Sequence, residues 1–192
     1  MATATLPRHA PVSPRVEVDE LVLTRWSLGD LDELAALHAE PETMAPFGGP
    51  FATRAESDAF AVRVDGWFDE HGFGLFAVHA DARLLGAVGL APIPPDIAVP
   101  FEAEVGWRLR RSAWGRGVAT RAALAVLAWA EATGGPTQVC SFTATTNERS
   151  AATMRRVGLH RRADLDFLHP RIDEGDPRRP HVVYASTPAP SQ

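Results

Sequence analysis

Residues 104–130, "EVGWRLRRSAWGRGVATRAALAVLAWA", constrain the fold more than any other stretch. They alternate like a strand as far as Leu109, cross a polar turn carrying Gly115 and Gly117, and enter an apolar helical run. The pattern predicts a strand over Glu102–Leu109, a helix from Gly117 to about Thr133, and a stop at Gly134 and Gly135. A second strand follows at Thr137–Ala144. Two strands joined through one helix need a sheet with at least one helix-covered face.

The flanking signals extend that plan. "ELVLTRW" (Glu20–Trp26) reads as a strand, and Ser27 with Asp30 forms a capping box ahead of a helix over Leu28–Ala39. "PETMAPFGGPF" reads as loop. Thr53 with Glu56 caps a second helix, Arg54 to about Glu70. "GLFAVHA" and "RLLGAVGLA" form a hairpin turning at Asp81, and a proline-rich loop covers 91–100. Asn147 caps a helix over Glu148–Val157 with Gly158 as its stop, and "LHRRADLDFLH" and "HVVYAS" are two last strands. The order β-α-α-β-β-β-α-β-α-β-β implies an α/β (mixed α+β) chain with a mixed sheet and helices on both faces. Residues 1–15 and 186–192, rich in Pro, Ala, Thr and Ser, read as disordered, which leaves 16–185 as a single domain.

Composition removes several functions. With 24 acidic against 19 basic residues and net charge −5, the chain lacks the basic excess of a nucleic-acid binder. The longest apolar run, Ala122–Ala130, is too short to span a bilayer, and the first residues lack the apolar core of a secretory signal. The single cysteine, Cys140, cannot close an internal disulfide and reads as a small buried hydrophobe. These features point to a cytoplasmic protein. Seven histidines show no ligand spacing with each other or with Cys140, so no metal is expected.

The turn before the 117–133 helix is where a ligand could sit. The first turn of a helix carries N–H groups without intrahelical partners, and glycines let phosphate oxygens approach them. Arg110, Arg111 and Arg116 add positive charge there. The plain alternative is that the glycines only make the turn and the arginines are solvated. A Walker loop needs a lysine, and all 19 basic residues are arginine. A dinucleotide fingerprint needs a third glycine where Thr120 stands and an acid after the next strand, which ends "FTATTN".

"SAWGRGVATRAALAVLAWA" followed by "CSFTATTNERSAATMRRVGLHR" resembles the acetyl-CoA-binding half of the GNAT superfamily of N-acetyltransferases, in the branch similar to the ribosomal-protein N-terminal acetyltransferases of the RimJ/RimL type. The resemblance runs from "LVLTRWSLGDLDEL" through "EVGWRL" to the last strands. It implies a sheet of about six to seven strands, splayed between Glu102–Leu109 and Thr137–Ala144, with acetyl-CoA as co-substrate in the cleft. The family signature falls on Trp114, Gly115, Arg116, Gly117, Val118 and Ala119, with Trp114 in place of the usual Gln or Arg. The amides from Arg116 to Thr120 would hold the pyrophosphate, flanked by Arg110 and Arg111. The pantetheine arm would pair with backbone near Leu109, Asn147 would bond it, and Ser150 would approach the thiol. A homodimer is compatible with the resemblance.

Acetyl transfer needs a neutral amine. Glu102 and Glu104 alternate onto one face of their strand, where two carboxylates would raise each other's pKa and suit a general base. Glu104, before "VGW", also holds the position where the resembling branch often carries its glutamate. Glu104 is therefore read as base or amine anchor and Glu102 as helper, against the alternative of a solvated strand face. Many relatives use a tyrosine after the Asn147 position, but "NERSAATMRRVG" has none, so Ser150 becomes the candidate partner of the thiolate. Trp67, Phe68, Phe73 and Phe76 read first as core and second as an acceptor pocket. The expected activity is N-acetylation of a small-molecule or peptide amine by direct attack in a ternary complex. The competing expectation is an acyl-CoA-binding sensor or interaction module with weak or no catalysis.

Overall fold

Nine strands feed one sheet in the computed structural model of the protein, which describes residues 13–187. They are β1 (Arg15–Val18), β2 (Leu21–Thr24), β3 (Leu75–Ala80), β4 (Arg83–Pro92), β5 (Ala103–Leu109), β6 (Val139–Ala144), β7 (His160–Arg161), β8 (Phe167–Leu168) and β9 (Pro180–Ala185). The sheet order is β1-β2-β3-β4-β5-β6-β9-β7, with β8 also on β9. The helices are α1 (Leu31–His38), α2 (Pro41–Met44), α3 (Arg54–His71), α4 (Val118–Ala132) and α5 (Glu148–Val157).

The count exceeds the expected six to seven because one expected strand is split and one strand was not expected. The single strand read across "LHRRADLDFLH" is broken by a 3-10 turn at Ala163–Leu165 into β7 and β8, of two residues each. β1 falls where a disordered arm was expected to end, yet Val16 is buried in it and Arg15 pairs with Thr24. Residues 1–12 and 188–192, the remainder of the expected arm and tail, lie outside the described residues. Within "PETMAPFGGPF", read as loop, α2 and a short 3-10 turn at Ala45–Phe47 appear.

The helices divide between the two faces. On one, Val118, Ala122, Ala123, Val126 and Ala130 of α4 and Met154 and Val157 of α5 pack on Ala103, Val105 and Leu109 of β5. Burying each Val, Leu or Met side chain among them contributes about 1.5 kcal/mol or more, and each alanine methyl about 0.8 kcal/mol. On the other, Leu31 and Leu34 of α1 and Phe60, Ala61 and Val64 of α3 cover Ala77, Leu84 and Ala87. Arg25, just after β2, clamps α3 by donating to both carboxylate oxygens of buried Asp65 and to Asp69. Phe68, Phe73 and Phe76 join the main core, and Trp67 packs against the second cluster, as the core reading of that run expects.

β5 carries two kinds of pairing in the middle of the sheet. β5 pairs antiparallel with β4 along its full length, Ala103↔Pro92 to Leu109↔Gly86. It pairs parallel with β6 only at Ala103↔Val139 and Glu104↔Cys140. β6 meanwhile pairs antiparallel with β9 from Cys140 to Ala144. Beyond Glu104 the two central strands part, and the edge of β5 facing β6 has no strand partner.

The hairpin between β3 and β4 turns at Asp81 as expected, with Ala80↔Arg83 as its closing pair. Both turn residues are left-handed, Asp81 at φ 49° and Ala82 at φ 60°. Aspartate tolerates this and alanine does not. Ala82→Gly should therefore raise the unfolding free energy by about 1 kcal/mol, read as a higher denaturant midpoint with an unchanged slope.

Candidate active site

The split between β5 and β6 ends, at its open side, on the start of α4. Gly117 is the N-cap residue at φ 74°, and it supplies no side-chain cap. Among the described residues, the backbone N–H groups of Val118, Ala119 and Thr120 donate to nothing; the first helical bond is Arg121 N–H to the Gly117 carbonyl, 3.0 Å. The other long helices differ, because Thr53 caps α3 and Asn147 caps α5. No acid lies in the first turn of α4. A Cβ at Gly115 would meet nothing within 4 Å, so its surroundings are open. This is a helix start with unspent donors and a positive dipole end.

The arginines around it divide into paired and unpaired. Buried Arg110 faces Glu33 at 3.2 Å, and its amide donates to the Leu85 carbonyl. Arg111 is held by Glu42 at 2.9 Å, and its amide by Glu40. Neither is the free cation the sequence pattern suggested. Arg121 is matched by Asp19 and Glu20, each at 2.9 Å, and its hydrogen bond holds the Glu20 carboxyl down to about 2. Arg116 has no carboxylate partner among the described residues, and neither does Arg149, which sequence reasoning passed over.

Arg149 is positioned by Trp114, whose ring its guanidinium covers at 3.8 Å. The indole N–H of Trp114 donates to the Leu109 carbonyl at 2.8 Å. Trp114 thus ties the end of β5 to the start of α5 across the mouth of the split. The Leu109 carbonyl, expected to meet a ligand, already has this partner. Unpaired β5 backbone facing β6 lies instead between Val105 and Arg108.

On α5, Asn147 accepts from the Ser150 amide at 3.3 Å and donates to Thr143 Oγ1 at 3.0 Å. The side chain is mainly a helix cap, with one amide hydrogen left over. Ser150 is half-buried in the first turn, and its hydroxyl makes no hydrogen bond among the described residues. Tyr184 lies on the α5 side of the sheet, where its hydroxyl accepts from Arg155.

Glu104 stands where the strands part, beside Cys140. Burial pushes its carboxyl up to about 8, with the Phe142 backbone N–H pulling the other way. Buried Cys140 is raised too, by its own desolvation and then by Glu104. The cause is not the one expected, since Glu102 lies outside β5, is exposed, and accepts from the Thr137 amide at 3.2 Å. The two carboxylates do not form a pair; desolvation, not a second carboxylate, raises Glu104.

The Glu104 face of β5 continues through Gly106 to Arg108. A Cβ at Gly106 would meet nothing within 4 Å, so the floor between the two charged residues is open. Arg108 lies over Phe47 at 4.0 Å and Phe60 at 4.5 Å, and donates to His38 Nε2 at 3.0 Å. His38 is buried, desolvated to about 3, and therefore neutral, so its Nδ1–H donates to Ser57 Oγ at 2.8 Å. Sequence reasoning missed this group, because it draws on four separate elements. Gly48 closes the same side, where a Cβ would come within 3.1 Å of an Arg178 guanidinium nitrogen from the loop before β9.

A parallel pair that splits, with a glycine-led helix at its mouth, is the sheet arrangement the sequence resemblance anticipated. A family model described as "Acetyltransferase (GNAT) domain" matches residues 20–160. The chain belongs to the GNAT acetyltransferase family. Solved structures similar to this GNAT chain include an acetyltransferase from Agrobacterium tumefaciens str. C58, with TM-score 0.72, 22% identity, and 95% of this chain and 99% of that chain covered. An acetyltransferase from Salmonella typhimurium that modifies the N-terminal serine of ribosomal protein L7/L12 matches with TM-score 0.72, 15% identity, and 90% and 98% covered. The microcin C7 self-immunity acetyltransferase MccE, solved with acetyl-CoA and AMP, matches with TM-score 0.71, 17% identity, and 88% and 92% covered. At these identities the likeness establishes the shared fold.

Two stability measurements test the GNAT site as described. Trp114→Ala should lower the unfolding free energy by about 2 kcal/mol, from the lost indole bond and the lost ring under Arg149. Trp114→Phe should lose about half of that. Glu104, with a folded pKa near 8, holds its proton more tightly when folded than when unfolded. Its contribution is therefore greatest below the unfolded pKa and declines as pH rises toward 8. The stability of Glu104→Gln relative to the wild type should rise by about 4 kcal/mol between pH 5 and pH 9 in denaturant titrations.

Proposed function

We propose that this protein transfers the acetyl group of acetyl-CoA to the primary amine of a small-molecule or peptide acceptor, by direct attack in a ternary complex. The observation that carries the reading is the β5–β6 split, with free helix donors at one end and a desolvated carboxylate at the other. The amides of Arg116 to Thr120, with the side chains of Arg116 and Arg149, would bind the pyrophosphate. The free edge of β5 between Val105 and Arg108 would pair with the amides of the pantetheine arm as an added strand would. That direction brings the thioester toward Glu104. The residues present fit such a ligand, since the donors are unspent and the glycines leave room.

Glu104 then accepts the proton of the attacking amine as its nitrogen bonds to the acetyl carbon and the carbon–sulfur bond breaks. Ser150 would supply the hydroxyl that donates to the departing thiolate. A base near 8 is well matched to an α-amino group, whose pKa is about 8, and poorly to a lysine side chain at about 10.4. The reading thus favours amino-acid-like amines and peptide N-termini. Glu102 serves to hold the β5–β6 junction through Thr137 and takes no part in proton transfer.

Calorimetric titration tests the binding half. Acetyl-CoA should bind the wild type, and Gly117→Asp should weaken it at least about a hundredfold by placing a carboxylate against the diphosphate. Wild-type affinity in the variant would move the ligand elsewhere. Thiol-release assays test the chemistry, with Glu104→Gln expected to lower kcat about a hundredfold near pH 7. Wild-type kcat/KM should rise through an ionisation near 8, and that limb should vanish in the variant.

A further inference from the structure

Arg108 is a desolvated arginine on the Glu104 face of β5 whose charge is unmatched among the described residues. Arg25 has Asp65 and Asp69, Arg110 has Glu33, and Arg162 has Asp164. Arg108 has no carboxylate among the described residues. Its hydrogen-bond acceptor there is the neutral ring of His38, and its Nε–H is buried without any. Burial pushes it down to about 9, and half-buried Arg63, beside Phe60, adds like charge. An arginine desolvated beside a second cation stores unfavourable energy that an anion would release.

The surroundings aim that cation at the acceptor side. The His38–Ser57 chain and the rings of Phe47 and Phe60 fix the guanidinium plane. Four of its five N–H donors remain unspent, including the Nε edge suited to a two-oxygen acceptor. Gly106 stands between it and Glu104 on the same face of β5, with open space where a Cβ would be. The Cα atoms of Glu104 and Arg108 are about 13 Å apart along the strand. Phe47, 50% exposed, covers the guanidinium from the solvent side.

We propose that Arg108 is a specificity residue that binds an oxyanion, carboxylate or phosphate, carried by the acceptor a few bonds from its reacting amine. The acceptor class is then an anionic amine, such as an amino acid, an amino phosphate, or a peptide with an acid next to its N-terminus. The amine would lie at Glu104, the body over Gly106 and the oxyanion at Arg108. This rests on the acetyltransferase reading and adds the acceptor's charge to it.

The test compares matched amines that differ only in that charge. They are 4-aminobutyrate against butylamine, O-phosphoethanolamine against ethanolamine, and a Ser-Glu amide against a Ser-Gln amide. In thiol-release assays at least one anionic member should exceed its neutral partner about tenfold or more in kcat/KM, chiefly through KM. Which pair responds identifies the oxyanion. Arg108→Met should bring that ratio to about one, and Arg108→Lys should keep part of it. A cooperative thermal melt of each variant reports that it folds. A wild-type ratio near one in every pair, or a preference that survives Arg108→Met, overturns the proposal. A second readout does not need turnover, because the Arg108 Nε–H resonance of CoA-saturated protein should move with an anionic member and not with its neutral partner. No movement with any anionic member overturns the proposal. Failure to bind acetyl-CoA is a separate result that removes the acetyltransferase reading itself.

Discussion

Everything at the site depends on β5 and β6 pairing for two residues and then parting. Parallel strands side by side would satisfy each other's edges and leave no cleft. Here each strand is fully satisfied on its outer side, β5 by β4 and β6 by β9, so the inner edges can separate without unravelling the sheet. α4 and α5 close the gap from one face with a single apolar cluster. The split thus becomes a groove with a backbone edge along one wall, helix-start donors at its mouth and Glu104 at its base.

Charge placement separates scaffold from site. Arg25, Arg110 and Arg121 meet carboxylates from other elements and hold the scaffold together. Arg116, Arg149 and Arg108 lack such partners among the described residues, and all three border the groove or its acceptor side. Trp114, which departs from the family signature, acts as a strut between the end of β5 and Arg149. That role removes it as support for a binding module without catalysis, and leaves the absence of a tyrosine on α5 as the remaining argument for that view.

Local signals were legible because they act within a few residues. The capping boxes at Ser27 and Thr53, the Asn147 cap, the Gly158 stop and the glycine turn before α4 all stand where the pattern put them. Long-range choices were not. Alternation placed Glu102 beside Glu104, but strand β5 begins one residue later and the Thr137 amide claims Glu102. The arginines of the turn looked equivalent in sequence, and only the fold brings Glu33 and Glu42 against two of them. Arg108 could be assigned to the Glu104 face, yet its aromatic surroundings come from the turn before Gly48 and from α3. A one-residue strand boundary or a partner from a distant element leaves no periodic trace.

The central claim is that the groove between β5 and β6 is the acetyl-CoA site. Backbone amide shifts of isotopically labelled protein, followed as acetyl-CoA is added, test it most directly. The account predicts saturable changes concentrated on the amides of Arg116 to Thr120 and on β5 from Val105 to Arg108. Changes centred on β1 to β3, or none at saturating ligand, would contradict it.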